Sequence, residues 1–269
     1  MLFRSHHGAE DFRVQNIAEQ MLRERQEVVE VIRSWRIVGA EALLRWQHPQ
    51  IGSVAPAEFI AVAERSGQIG ELGRWALEEA CRTAAQQLPG LAVSVNVSPA
   101  QLRDERFADH VQHVLRSHSI EPGRLELEIT ESLFIDDALG AFERLQALRR
   151  LGVRIALDDF GTGYSSLAYL RRFPFDTLKI DRAFISELLV QGDAQAIVRT
   201  ITQLAGALGM RTIAEGVENE AQLAVVSQTG CDEAQGFLIS RPCPAPTFAL
   251  LRQGWNDRPQ ALTAVHSTI

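Results

Sequence analysis

Two adjacent aspartates, Asp158 and Asp159, end an apolar run and open a glycine-flanked loop in "RIALDDFGTGYSS" (Arg154–Ser166). Two carboxylates about 4 Å apart repel by about 4 kcal/mol at an effective dielectric of 20. Such a pair needs either solvent or a cation. Other polar residues recur where apolar runs stop: Glu41 in "GAEALLRW", Asn96 in "VSVNVS" and Glu128 in "LELEITES". Lys179 and Asp181 follow in "LKID", Glu215 and Glu218 in "IAEGVE", and Gln235 in "CDEAQGF". One strand-end aspartate alone reads as a helix N-cap. A set drawn from seven strand ends, all oxygen donors except the lysine, reads as chemistry. Carboxylates and amide oxygens form a hard donor set suited to Mg²⁺ or Mn²⁺. Asp158 can bridge two ions while Asp159 binds the second. Two ions about 3.5–4 Å apart clamp the attacking and leaving oxygens of a phosphoryl displacement. The glycine-flanked loop beside them can close over a substrate or sense a partner.

The elements that must hold these residues alternate. Apolar, β-branched runs fall at Val28–Ile32, Arg36–Leu44, Leu91–Val97, Arg124–Ile129, Val153–Asp158, Thr177–Asp181, Thr212–Glu215 and Glu233–Leu238. Helical patterns lie between most of them. Ala57–Ser66 follows Pro56 at a first helical position, and "SPAQLRDERFADHVQHVL" opens with Ser98 as N-cap and Pro99 in the first turn. "DDALGAFERLQALRRLG" carries acids at its start, arginines at its end and Gly152 as a stop, and Ala194–Leu208 stops at Gly209. Eight strands with intervening helices suggest an α/β fold, a (βα)₈ TIM-type barrel. Between Val28–Ile32 and Arg36–Leu44 only Arg33–Trp35 intervene. A parallel crossover needs a dozen residues or more, so the first strand is expected to be antiparallel. A doubly wound sheet is the alternative, but no Gly-rich phosphate fingerprint follows a strand.

Composition narrows the class. With 269 residues, 46% hydrophobic and 23% charged, the chain reads as a soluble globular protein. No apolar stretch approaches the roughly 20 residues of a membrane span, and the start has no signal-peptide core. A net charge of −7 argues against a nucleic-acid polymer as partner. Cys81, Cys231 and Cys243 have no metal-ligand spacing and read as core fillers in a reducing compartment. These readings point to the cytoplasm.

Taken in order, "EALLRW", "VNVS", "EITES", "DDFGTGYSS", "LKID", "AEGVE" and "DEAQGF" closely resemble the EAL-domain phosphodiesterases that hydrolyse the bacterial messenger cyclic di-GMP. The resemblance runs from about Arg36 to Arg252 and implies a (βα)₈ barrel with an antiparallel first strand. It implies that Glu41, Asn96, Glu128 and Asp158 hold a first Mg²⁺ or Mn²⁺, and Asp158, Asp159 and Glu215 a second. Lys179 would contact the nucleophilic water and, with Asp159 and Glu215, carry the catalysis. Arg45 would grip a substrate phosphate, with Gln26, Leu44, Asp181, Glu218, Gln235 and Gly236 as further substrate contacts. Glu131 matches the glutamate that anchors the mobile loop, and a homodimer is expected. The domain would cover residues 25–255, between an unmatched extension at 1–24 and a tail at 256–269. The first strand departs from the family: "RQEVVEVIRSW" offers Gln26 alone where relatives carry "YQP", and Trp35 stands where a glycine is usual.

Three readings follow: hydrolysis of cyclic di-GMP to linear pGpG, binding of cyclic di-GMP without cleavage, or a regulatory scaffold. Weaker signals have plainer readings. His110 and His113, with His118 nearby, read as a solvated helix face. Trp46 and Trp75 read as core anchors. Phe237 fits either packing or contact with a guanine.

Overall fold

A computed structural model describes residues 25–31, 36–131, 133, 138–161, 167–190 and 192–256, with backbone only at 25–31, 138, 167–169 and 256. In chain order the strands are β1 (Arg25–Val31), β2 (Arg36–Leu43), β3 (Trp46–His48), β4 (Gly52–Val54), β5 (Ala92–Asn96) and β6 (Leu125–Thr130). They continue with β7 (Arg154–Phe160), β8 (Thr177–Ile180), β9 (Arg211–Ala214) and β10 (Glu233–Gln235). The helices are α1 (Pro56–Arg65), α2 (Ile69–Gln87), α3 (Pro99–Leu102), α4 (Phe107–Ser117) and α5 (Ala138–Arg150). After them come α6 (Leu167–Arg172), α7 (Arg182–Glu187), α8 (Gly192–Ala207), α9 (Glu220–Gln228) and α10 (Ala245–Asn256).

The strands β2, β5, β6, β7, β8, β9 and β10 pair in parallel, in that order, as a curled sheet. The backbone of β1 is registered antiparallel to β2, with Arg25 opposite Leu43, and to β10, with Val31 opposite Glu233. Hydrogen-bonded neighbours thus form a complete circuit. Removing one strand of a closed sheet exposes two edges and the interior. Deleting Met1–Arg33 is therefore expected to give insoluble or non-cooperatively melting protein. Deleting only Met1–Met21, which lies outside the described residues, is expected to leave the thermal melt nearly unchanged.

Side-chain alternation along each strand separates core from interior. On β6 the residues Leu125, Leu127 and Ile129 join the hydrophobic core, as do Leu178 and Ile180 on β8. The intervening residues face across the barrel. Thr177 Oγ1 donates to Glu126 Oε2 at 2.8 Å, and Lys179 Nζ donates to Glu128 Oε2 at 2.7 Å, both past the intervening β7. The interior is polar in layers. At the floor Arg211 bonds Glu233 Oε1 at 2.5 Å, and Glu126 Oε2 and Thr177 Oγ1 at 3.0 Å each.

Several elements differ from the sequence reading. The first strand is Arg25–Val31 rather than Val28–Ile32, because backbone pairing with β2 needs no apolar side chains at Arg25–Glu27. The stretch after Ser98 is two helices, α3 and α4, and Ser98 caps only the first in a capping box with Gln101. Arg124 lies in a 3-10 turn before β6. Its guanidinium bonds the carbonyls of Ala84, Leu88 and Leu91 at 2.8–3.2 Å. It thereby satisfies the end of α2, whose last turn has no basic residue. A small hairpin, β3–β4, follows β2 and packs Trp46 with Phe59, Ile69 and Leu72 as a second core. Cys81 and Cys231 are buried. Among the described residues, no helix is long and apolar enough to cross a membrane.

Candidate active site

The C-terminal ends of the parallel strands converge on one ammonium group. Lys179, 1% exposed, comes from β8, and its Nζ lies 2.6 Å from Glu215 Oε1 and 2.7 Å from Glu128 Oε2. Asp158 Oδ1 is 3.2 Å away and Glu41 Oε2 3.7 Å away. Both oxygens of Glu41 accept further bonds, Oε1 from Asn96 Nδ2 and Oε2 from Gln235 Nε2, each at 2.6 Å. The residues Glu41, Asp158, Lys179, Glu215 and Gln235 line one cleft of about 360 Å³.

Adjacent residues on a regular strand point to opposite faces, so Asp158 and Asp159 require a local break to serve one site. Asp159 has φ +54°, and the register of β7 against β8 shifts between Leu157 and Phe160. This left-handed residue within a register irregularity re-aims the second carboxylate. As a result, ligand oxygens of Asp158, Asp159 and Glu215 all lie within 4.8 Å of one another.

The charges are unbalanced. Burial would lower the Lys179 pKa, but the surrounding carboxylates outweigh it and hold it well above the usual lysine value. Burial likewise raises the Glu41 carboxyl, but Lys179 and the bonds from Gln235 and Asn96 bring it below its usual value. The others go the opposite way. Burial and then the Glu41 charge push Glu128 well up. Burial, reinforced by Asp158 and Glu41 against the pull of Lys179, lifts Glu215 to about 8. Burial and the charges of Asp158 and Asp181 lift Asp159 to about 6. One ammonium does not neutralise this many carboxylates. Glu128 Oε1 is also buried with no hydrogen-bond partner. An orphaned carboxylate oxygen beside a surplus of hard anionic donors fits divalent cations.

The structure brings most of the expected residues to this end of the sheet. Arg45 and Glu218 line the cleft, as does Gly236. Glu131 Oε1 accepts the Gly161 N–H at 3.2 Å; residues 162–166 of the adjoining loop lie outside the described residues. Asp181 caps α7, accepting the Ala183 N–H at 2.7 Å. Leu44 offers its carbonyl to Arg45 at 2.8 Å. The backbone of Gln26 pairs with Ala42; its side chain lies outside the description. Arg182, Ser186 and Pro242 also line the cleft and were not singled out in the sequence. Arg182 directly follows the strand-end Asp181, which was the available signal. His110 is half-buried rather than solvated, and its Nε2 and that of His118 are buried without hydrogen-bond partners.

Comparisons with known proteins agree with this geometry. The family profile for the EAL domain matches residues 20–242. Over 213 residues the chain is 46% identical to the bifunctional diguanylate cyclase/cyclic di-GMP phosphodiesterase MucR of Pseudomonas aeruginosa, covering 78% of this chain and 31% of that protein. The solved structure "PaMucR Phosphodiesterase, c-di-GMP complex" superposes with a TM-score of 0.84 at 40% identity, covering 89% of this chain and 99% of the other. Klebsiella pneumoniae BlrP1, solved with manganese and cy-diGMP at pH 6, gives a TM-score of 0.75 at 29% identity, covering 83% and 56%. The chain spans only about three tenths of the length of the curated relatives it matches.

Proposed function

The chain belongs to the EAL domain family, and on that footing we propose that it hydrolyses cyclic di-GMP to linear pGpG using two divalent cations, Mg²⁺ or Mn²⁺. The observation that carries the proposal is the meeting of Asp158, Asp159 and Glu215 ligand oxygens within 4.8 Å, beside the orphaned Glu128 oxygen. We assign Glu41, Asn96, Glu128 and Asp158 to the first ion, and Asp158, Asp159 and Glu215 to the second. Bound cations would acidify the attacking water and stabilise charge on the phosphoryl oxygens. The chain's own groups then do the rest. Lys179, kept charged by its carboxylate partners, donates to the attacking water and steadies its developing negative charge. Arg45 holds a phosphate at the cleft wall. Gln235 and Asn96 fix the Glu41 carboxylate by occupying an oxygen each. Water attacks phosphorus in line as the bond to the 3′-oxygen breaks. The attacking water releases one proton as its bond to phosphorus forms and the departing 3′-oxygen takes one up, so that one water is added across the broken bond. Gln26, Leu44, Asp181, Glu218 and Gly236 complete the substrate contacts in this reading. We further propose the family's eight-stranded TIM-type barrel with a reversed first strand, domain bounds of 25–255, a cytoplasmic setting and a homodimer.

Incubating the pure protein with cyclic di-GMP and Mg²⁺, then separating the nucleotides, tests the function. Linear pGpG supports the enzyme. Binding without product makes the chain a receptor, and neither outcome makes it a scaffold. Ca²⁺ takes six to eight oxygens at longer distances, so it is expected to inhibit.

Glu131 acts at a remove from the donors. Its bond to the Gly161 N–H ties the loop after β7 to the end of β6. Glu131→Ala is expected to lower activity by roughly tenfold, the order of one lost charged hydrogen bond, and to weaken the dimer. Unchanged turnover with an unchanged sedimentation coefficient would remove it from the anchoring role.

A further inference from the structure

Phe237 is large, apolar and 45% exposed, although it sits only two residues past a buried strand end. Its backbone is fixed from both sides. Val217 N–H donates to the Gln235 carbonyl and Leu238 N–H to the Val217 carbonyl, both at 3.0 Å. Ile239 and Ser240 N–H close a turn onto the Gly236 carbonyl at 3.1 and 3.2 Å. Gly236 has φ +154°, and a Cβ there would clash with the Val217 backbone. The segment therefore passes Val217 too closely to shift, and it presents Phe237 at the mouth of the cleft that also contains Asp158 and Lys179.

The ring is held as well as presented. The Arg241 guanidinium carbon lies 4.4 Å from the ring centroid, over one face. A guanidinium in that position is attracted by the ring's negative face and restrains its rotation. The core-packing reading of Phe237 is therefore excluded by exposure. A rigid, half-exposed aromatic beside a phosphodiester-cleaving site matches the stacking platforms on which nucleobases rest.

We propose that Phe237, clamped by Arg241, is the platform for one purine base of the cyclic dinucleotide and thereby sets the preference for purine over pyrimidine ligands. Arg241 is a positioning residue that acts through the ring. The inference rests on the cyclic dinucleotide reading above and adds to it the residue that selects the base.

The test uses the whole chain and two probes, cyclic di-GMP and its pyrimidine analogue cyclic di-UMP. Dissociation constants are measured by calorimetry in Ca²⁺, and KM and kcat in Mg²⁺. Loss of one base–aromatic stack is worth roughly a 5- to 140-fold weakening. Phe237→Ala is accordingly expected to raise both Kd and KM for cyclic di-GMP by that factor. Its kcat should stay within about twofold, because a contact equal in ground and transition states moves KM alone. Cyclic di-UMP should weaken less, so discrimination narrows. Phe237→Tyr should restore binding. Arg241→Ala should weaken binding roughly 2- to 5-fold, the size of an exposed cation–π contact, and Arg241→Lys should largely rescue it. Melting temperatures should not change, since the ring lies outside the core. Wild-type Kd in Phe237→Ala, or a fall in kcat with Kd unchanged, overturns the inference while leaving the hydrolase reading intact. A wild-type chain that does not bind cyclic di-GMP overturns both, and this is read before any variant is made.

Discussion

Asp158→Asn is expected to lower kcat for cyclic di-GMP on the order of a thousandfold or more while leaving the protein folded. Asp158 is the residue assigned to both cations, so its charge is lost at both. Several kcal/mol of charge stabilisation at the reacting phosphate, at about 1.4 kcal/mol per factor of ten, gives that size. Asparagine keeps an oxygen where Asp158 Oδ1 accepts the Asp159 N–H at 3.1 Å, which preserves the local backbone. Gln235→Ala provides the contrast. Gln235 donates to Glu41 Oε2 at 2.6 Å, so its removal frees one carboxylate oxygen without removing a donor from the cations. Its loss should be roughly tenfold, in line with one charged hydrogen bond. Steady-state kinetics on both variants decides the matter, and equal losses would mean that the bridging role is misassigned.

Lys179→Met is expected to have a different signature, because the proposed role of Lys179 in turnover is joined to its place among buried carboxylates. Its ammonium lies within 4 Å of Glu41, Glu128, Asp158 and Glu215. Removing it leaves buried carboxylates facing one another, a change worth about 3–5 kcal/mol before proton uptake relieves part of it. For a domain of this size that corresponds to a fall of roughly 6 to 20 °C in melting temperature. The fall should be largest in cation-free protein and should shrink when Mn²⁺ is added, because bound cations supply the missing positive charge. Turnover should drop by about 10²–10³-fold, the range for loss of one donor that steadies developing negative charge. KM should change little, since no phosphate contact is removed. An unchanged cation-free melt would contradict the charge balance described for the site.

Much of this site was legible because a parallel β/α sheet places every strand's C-terminal end on one side. Reading Glu128, Asp158, Lys179 and Glu215 at strand ends was enough to group them, and they do meet at Lys179 Nζ. What local sequence could not carry was geometry set by distant partners. The Glu41 oxygens are claimed by Asn96 and Gln235, residues far along the chain, the first brought near by the pairing of β5 with β2 and the second by the curling of the sheet. The cooperation of Asp158 with Asp159 depends on the φ of Asp159 and the register shift of β7, neither of which is encoded by apolar periodicity. The β3–β4 hairpin consists of three-residue strands, too short for an alternation signal. The break between α3 and α4 follows from the Ser98 cap serving only four residues. Phe237 could be read as packing or as a base contact, and only its exposure separates the two.

The two-cation claim is tested most directly by stripping the protein with EDTA, removing the chelator, and following pGpG formation from cyclic di-GMP as Mn²⁺ is titrated in. No product is expected from the stripped protein, and activity should rise to a plateau at two equivalents of Mn²⁺ per chain. Full conversion to pGpG in excess EDTA would contradict the account.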